Sequence, residues 1–414
     1  MFQRMFIALA LATTAFAGPG WITTWSCDPS LPYTDPTQLA SAHLVFSNQT
    51  LREIVHVSVG SDMLRVRLSN IYGASAVEIG DAHIALQTSA SSIDLTTDRA
   101  LTFSGQTDVI IPPNAELLSD PLPFNVQPAT NLVISLYIPG SANGAGIHYL
   151  GEQTNYLGAG DQTSAASITK STSVSFWAFL AGVDVTSTDP GSGTVVAFGD
   201  SITDGYQSTS GANHRWPDFL AARLLTAGIE STGVANAGIS GNRILHDAVS
   251  IANGPNALSR LGHAVLDQPG AKYVIILLGI NDIGQPGSTS APASEAVTSD
   301  QVIAGLEQLA NRAHERGLKV YGCTIMPFAV YPTVGWYTPD KDAERQAVNT
   351  WIRRGVAYDA VIDFDLVMRD PANPDQLLPA YDSGDHLHPN DLGYQTMANA
   401  IDLTLFRSEP FGNR

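Results

Sequence analysis

The chain has 414 residues, 44% hydrophobic and 14% charged, with a formal net charge of −18. That length exceeds one ordinary core and sets an expectation of two domains. The balance of 39 acidic to 21 basic residues argues against a nucleic-acid partner or an anionic membrane surface, both of which a strongly negative protein repels, and suits a soluble extracellular protein.

The opening stretch MFQRMFIALALATTAFAGPG puts Arg4 before an apolar run and Ala15-Phe16-Ala17 after it. This is the pattern of a signal peptide cleaved after about Ala17, and the run is too short to span a bilayer. Residues 1–17 are therefore set aside from the fold, and a secreted location is expected. Only two cysteines occur, Cys27 in a polar loop and Cys323 in the apolar run KVYGCTIMP. Two cysteines make no disulfide scaffold, and a bridge between them is not expected. Asn48-Gln49-Thr50 is a glycosylation sequon, meaningful only in a eukaryotic host.

From residue 20 to 187 short alternating runs replace any helical period. Val55, Val57 and Val59 interleave with His56 and Ser58; Leu64, Val66 and Leu68 interleave with Arg65 and Arg67. Leu132 to Ile138 is a further strand, stopped by Pro139-Gly140. Many short strands separated by turn residues predict an all-β sandwich or jelly roll. Ser187 to Gly193, rich in Ser, Asp, Pro and Gly, marks a boundary.

Across 194–408 strands and helices alternate. Strands are expected near 195–199, 232–237, 273–279, 318–325 and 360–366. Helices are expected over Trp216 to Leu225, with Trp216, Phe219, Leu220 and Leu224 on one face, over Val302 to Arg316, and after Pro389. Repeated units of this kind predict a doubly wound, five-stranded parallel sheet of the α/β class, whose ligands bind beyond the carboxyl ends of the strands.

Four segments fall at those ends. Val195-Val-Ala-Phe198 runs into Gly199-Asp200-Ser201, a turn whose residue types cap a helix and present a hydroxyl. Asn236 to Asn242 follows the second strand, Gly279-Ile-Asn281-Asp282 the third, and Asp385-His-Leu-His388-Pro389 opens the last helix. A serine hydrolase needs a base, a group that orients the base, and donors for the developing oxyanion, and all these types are present. An aspartate three residues before a histidine can reach Nδ1 and leave Nε2 for the serine.

In these four blocks, over roughly residues 194–406, the sequence resembles the SGNH hydrolases, also called GDSL esterases, with Gly199-Asp-Ser-Ile202 where the family has Gly-Asp-Ser-Leu. The resemblance implies a flavodoxin-like sheet, Ser201 as nucleophile, His388 as base and Asp385 as its orienter. It implies an oxyanion hole made by the Ser201 and Gly241 backbone N–H groups and the Asn281 side chain. His386 and Asp382 are the rivals of His388 and Asp385; spacing and Pro389 favour the latter pair. Asp204 and Asp282 read as turn and supporting residues, and His214, His246 and His263 as solvated ones. No residue cluster has metal-ligand spacing, so neither metal nor cofactor is expected.

Two long loops border the site, Ile283 to Ser299 and Phe328 to Asp340. The second carries Tyr331, Trp336 and Tyr337, candidates to stack on a sugar ring or grip an acyl or aryl group. A β domain ahead of such a hydrolase resembles secreted acylhydrolases and carbohydrate esterases. Removal of acetyl or other short acyl groups from polysaccharide is the first expectation; a lipase or arylesterase acting on small or lipid esters is the second. A carbohydrate-binding protein with an inactive hydrolase half is the alternative from another class.

Overall fold

The computed structural model describes residues 20–143 and 146–407; the expected signal peptide, residues 1–17, lies outside them. In the N-terminal half the strands pair antiparallel. One sheet runs Gly20–Ser26, Leu180–Ser187, Ser61–Ser69, Glu116–Leu118, with Leu122–Val126 also on Ser61–Ser69. The second is centred on Gln49–Val57, Thr130–Ile138 and Asp81–Ser89, paired in that order. The alternation in the sequence explains the packing: Leu64, Val66 and Leu68 from the first sheet and Leu51, Val55, Val57, Leu132, Ile134 and Leu136 from the second meet in one buried core.

The other face of the first sheet is partly covered by the C-terminal half. Arg67 is buried: its Nε lies 3.2 Å from Asp184 Oδ1 and its Nη2 donates to Gln268 of the C-terminal half at 2.7 Å, while Arg65 takes the other Asp184 oxygen at 3.0 Å. Arg67 alternates with the core residues because it faces the second half of the molecule, while Arg65 lies over the Trp21 ring.

The C-terminal half is a five-stranded parallel sheet. Numbering only its strands, β1 is Gly193–Gly199, β2 Thr232–Gly238, β3 Ala271–Leu277, β4 Lys319–Cys323 and β5 Ala360–Ile362, in the order β2-β1-β3-β4-β5. The expected fifth strand is shorter, because Asp363 caps a helix, Phe364–Met368, where strand had been extrapolated. Val195 to Phe198 are fully buried, as a central parallel strand requires. The chain steps from β1 outward to β2, then back across to β3, β4 and β5. With right-handed crossovers, that reversal sends the connecting helices to opposite faces. The helices pack accordingly in two groups, Trp216–Thr226 with Asp391–Ala400, and Ser299–Glu315 with Pro339–Arg353. The last of these had no counterpart among the expected helices; Thr338 caps its start.

The β2 edge is covered by the N-terminal half. Val234 N–H donates to Ser58 Oγ at 3.0 Å, and Ser26 Oγ donates to Asn236 O at 3.1 Å. Side chains thus satisfy backbone groups that an edge strand leaves open. Asp28 crosses the same boundary, its Oδ2 2.5 Å from Nη1 of the fully buried Arg260 and its Oδ1 3.0 Å from His263 Nε2. His263 is therefore a partly buried ion-pair partner, contrary to the solvated position expected of it. Cys27 is likewise buried, with its thiol on the Leu180 carbonyl at 3.2 Å, and both it and Cys323 are free. Asn48 is exposed, its amide oxygen accepting from Tyr137 at 2.8 Å.

Candidate active site

The turn after β1 is built by its own residues. Asp200 is extended and accepts from Ile202 N–H at 3.0 Å, starting a one-turn helix, Ser201–Asp204. Gly205 ends that helix in the left-handed region at φ 98°, where a side chain would be strained. Ser201 thereby stands at the helix start, at the carboxyl end of β1, an interior strand of the sheet.

From 187 residues further along the chain, His388 brings Nε2 to 2.8 Å from Ser201 Oγ. Its Nδ1 lies 2.6 Å from Asp385 Oδ2, and Asp385 Oδ1 accepts the backbone N–H groups of Leu387 and His388 at 2.9 and 2.8 Å. Burial disfavours charge on Asp385, but the His388 ring and these two donors outweigh it and lower its pKa to about 2. Ser201 and His388 are both buried, and the Tyr206 ring packs nearly perpendicular to the imidazole with centroids 4.7 Å apart. The rival pair is a separate unit: His386 Nδ1 meets Asp382 Oδ2 at 2.6 Å on the exposed side of the loop.

Gly241 and Asn281 converge on the same cavity. Gly241 has φ 75°, and a Cβ there would collide with Asn253, so glycine is required on both counts. Among the described residues the Gly241 N–H has no partner. The Asn281 amide nitrogen gives one hydrogen to Asn242 O at 3.0 Å, while its oxygen accepts from Gln285 at 3.0 Å. Gln285 also donates to Gly241 O at 3.0 Å, which ties the two segments together and fixes the amide's orientation. The second hydrogen of the Asn281 amide is left for the cavity.

Buried carboxylates support these loops. Asp282 accepts from the N–H groups of Ile244 and Leu245; burial nevertheless raises its pKa to about 6. Burial raises Asp200 to about 7, and its Oδ2 has no partner among the described residues. Asp204 holds Ser240 by both its N–H and its hydroxyl, at 3.0 and 2.7 Å.

The cavity over Ser201 has a volume of about 210 Å³, and its walls mix polar Ser240, Asn253, Gln285 and Ser290 with Leu150, Tyr206, Tyr331 and Trp336. Two of the three expected loop aromatics are there. Tyr331 is half-buried, and Trp336 is buried with its ring 5.0 Å from Tyr331. Tyr337 is not part of the wall, a correction to the sequence reading. Its ring packs on Phe328 and its hydroxyl donates to Asp375 at 3.2 Å, on the far side of the loop. Tyr206, Gln285 and Leu150 were missed. Tyr206 directly follows the Gly205 cap and Gln285 sits one turn after Asn281, positions that a helical reading of each segment would have offered. Nothing in the sequence pointed to Leu150. His214 pairs with Asp391 at 2.7 Å, away from the cavity walls. Among the described residues no cluster of His, Cys, Asp or Glu could hold a metal ion, and no helix is long and apolar enough to cross a membrane.

A parallel α/β sheet with a serine, a histidine and two candidate oxyanion donors at its carboxyl edge defines a hydrolase. Residues 197–396 match the GDSL-like Lipase/Acylhydrolase family, so the C-terminal half is a GDSL-type esterase domain and the chain an enzyme. Solved structures similar to part of this chain include a carbohydrate acetylesterase from Sinorhizobium meliloti (20% identity, TM-score 0.38, 50% of this chain and 95% of that one). They also include the aryl esterase of M. smegmatis (19%, 0.40, 50% and 96%) and a GDSL-like lipase from Bacteroides thetaiotaomicron (21%, 0.36, 50% and 84%). No curated protein matches the sequence.

Proposed function

We propose that residues 194–408 form the catalytic domain of a secreted carboxylic-ester hydrolase that works by two-step acyl transfer, with the all-β half, 20–187, packed beside it. His388 takes the Ser201 proton, Ser201 Oγ attacks the ester carbonyl, and Asp385 stabilises the imidazolium that forms. The Ser201 and Gly241 N–H groups and the Asn281 amide receive the oxyanion. His388 then protonates the leaving alcohol, and a water deprotonated by His388 releases the acid. The observation that carries this reading is the unbroken run of hydrogen bonds Ser201–His388–Asp385, at 2.8 and 2.6 Å. An inactive binding module has no use for that run.

The substrate we infer is an acetyl or other short acyl ester of a polysaccharide. Support comes from the cavity: about 210 Å³ in volume, it sets Ser240, Asn253, Gln285 and Ser290 beside the catalytic groups, polar partners suited to sugar hydroxyls, while Tyr331 in the same wall can pack on a sugar ring. Small aryl esters fit the same walls and are the second reading. Replacing Ser201 with alanine should lower kcat by at least about 10⁴-fold and abolish labelling by a sulfonyl fluoride, with melting unchanged. Acetate release from acetylated xylan, set against hydrolysis of nitrophenyl esters of rising chain length, tests the substrate. Secretion with loss of residues 1–17 is checked by sequencing the N-terminus of the exported protein.

A further inference from the structure

Among the described residues, the N-terminal half enters the cavity wall at Leu150, in a segment that begins with His148. His148 is buried, and its Nε2 lies 2.9 Å from Asp204 Oδ1 while its Nδ1 lies 2.9 Å from the Asp28 carbonyl. A carbonyl only accepts, so Nδ1 carries a hydrogen. Nε2 faces both the Asp204 carboxylate and, at 3.3 Å, the Leu150 carbonyl, so it donates as well. Two positions on, Leu150 enters the cavity wall, and Gly151 O accepts from Arg215.

Asp204 is the last residue of the one-turn helix that begins with Ser201. Its other oxygen holds Ser240 at two points, and Ser240 is the residue before Gly241. One carboxylate therefore spans the nucleophile's helix and the loop that presents the Gly241 N–H. We propose that His148 of the N-terminal half is a positioning residue for the oxyanion donor at Gly241, acting through Asp204 and Ser240, so that both halves together complete the active site. Burial alone would push the His148 ring toward neutrality, but the adjacent Asp204, by charge and hydrogen bond, carries its pKa above the ordinary value. With both nitrogens on acceptors, the ring is a double donor that keeps one Asp204 oxygen engaged while the other holds Ser240. Without it, that carboxylate has a buried, unsatisfied oxygen and is free to rotate off Ser240.

The inference rests on the acyl-transfer reading above. The test compares H148Q, S240A and the double variant of the full chain on 4-nitrophenyl acetate, recording kcat, KM and melting temperature. H148Q should lower kcat about tenfold to a hundredfold, with KM changed less than about twofold, because only oxyanion stabilisation is lost. S240A should lower kcat in the same sense, and the double variant should fall no further than the weaker single, since both act through Asp204. Wild-type kcat for H148Q well below its melting temperature, or losses that multiply in the double variant, overturns the proposal. If H148Q does not fold, S240A decides alone: a lowered kcat at constant KM supports the link, and an unchanged kcat refutes it. An inactive S201A beside a fully active H148Q removes only this inference; an active S201A removes the acyl-transfer reading itself.

Discussion

In the N-terminal half Arg67 and Asp184 lie buried side by side on a strand face, against Gln268 of the other half. In the C-terminal half Asp200, Asp204 and Asp282 lie buried around the cavity, and the partners of Asp200 and Asp282 are mostly backbone N–H groups. The first arrangement pairs opposite charges where two surfaces meet, so each ion's desolvation is offset by its neighbour. The second aims single-sign groups at loop amides and holds functional loops in one conformation. Buried charge joins the two halves at Arg67 and Asp184 and positions loops at Asp200 and Asp282.

The largest test of that contrast falls on Asp28, the joining residue. D28N leaves the guanidinium of Arg260 buried without its counter-charge and should cost about 3 kcal/mol or more, read by urea denaturation. A single transition with a lowered midpoint is expected. Two transitions, with that of the hydrolase half unshifted, would show that the boundary contributes nothing to its stability.

On the positioning side, N281A removes a donor aimed into the cavity while keeping the fold. Its kcat on a nitrophenyl ester should fall about a hundredfold, near 3 kcal/mol, at nearly constant KM. A rise in KM at constant kcat would instead make Asn281 a substrate-binding group.

Asp200 gives a pH signature. Its folded pKa is about 7 against an ordinary value of 3.8, so the folded state holds a proton that the unfolded state has lost. Its contribution is present below the unfolded value and fades as pH rises from about 4 to about 7, on the order of a few kcal/mol. D200N keeps the oxygen that caps Ile202 and should flatten that decline. Equal slopes for D200N and the parent between pH 4 and 7 would refute the assignment.

The smallest effect belongs to the loop aromatics. Y331A should raise KM several-fold for a sugar or aryl ester by removing a cavity wall, whereas Y337F should leave both constants within about twofold, losing only the bond to Asp375. A KM shift for Y337F comparable to that of Y331A would put Tyr337 back in the site.

Much of the C-terminal half was legible because its signals are local. An apolar run into Gly-Asp-Ser reads as a buried strand ending in a capped turn, and Asp385 and His388 sit close enough for one short loop to align them. The five segments of the parallel sheet were visible as strands, although the end of the last was misjudged where Asp363 caps a helix. In the N-terminal half, alternation revealed which residues share a face, such as Leu64, Val66 and Leu68, but not what the opposite face meets. Arg67 read there as a polar position and is buried in an interface. His263 read as solvated for the same reason, since its partner Asp28 lies 235 positions away.

By itself the sequence pointed to a β-rich half followed by an α/β half, because strand period and helix caps are decided within a few residues, and its resemblance to a known family named a serine, a histidine and an aspartate to work together. Only the tertiary structure decided that Tyr337 turns away, that Gln285 ties Asn281 to Gly241, and that His148 and Leu150 of the first half stand at the site of the second. Those contacts depend on which surfaces are brought together when two cores pack, and no pattern along one strand or helix carries that information.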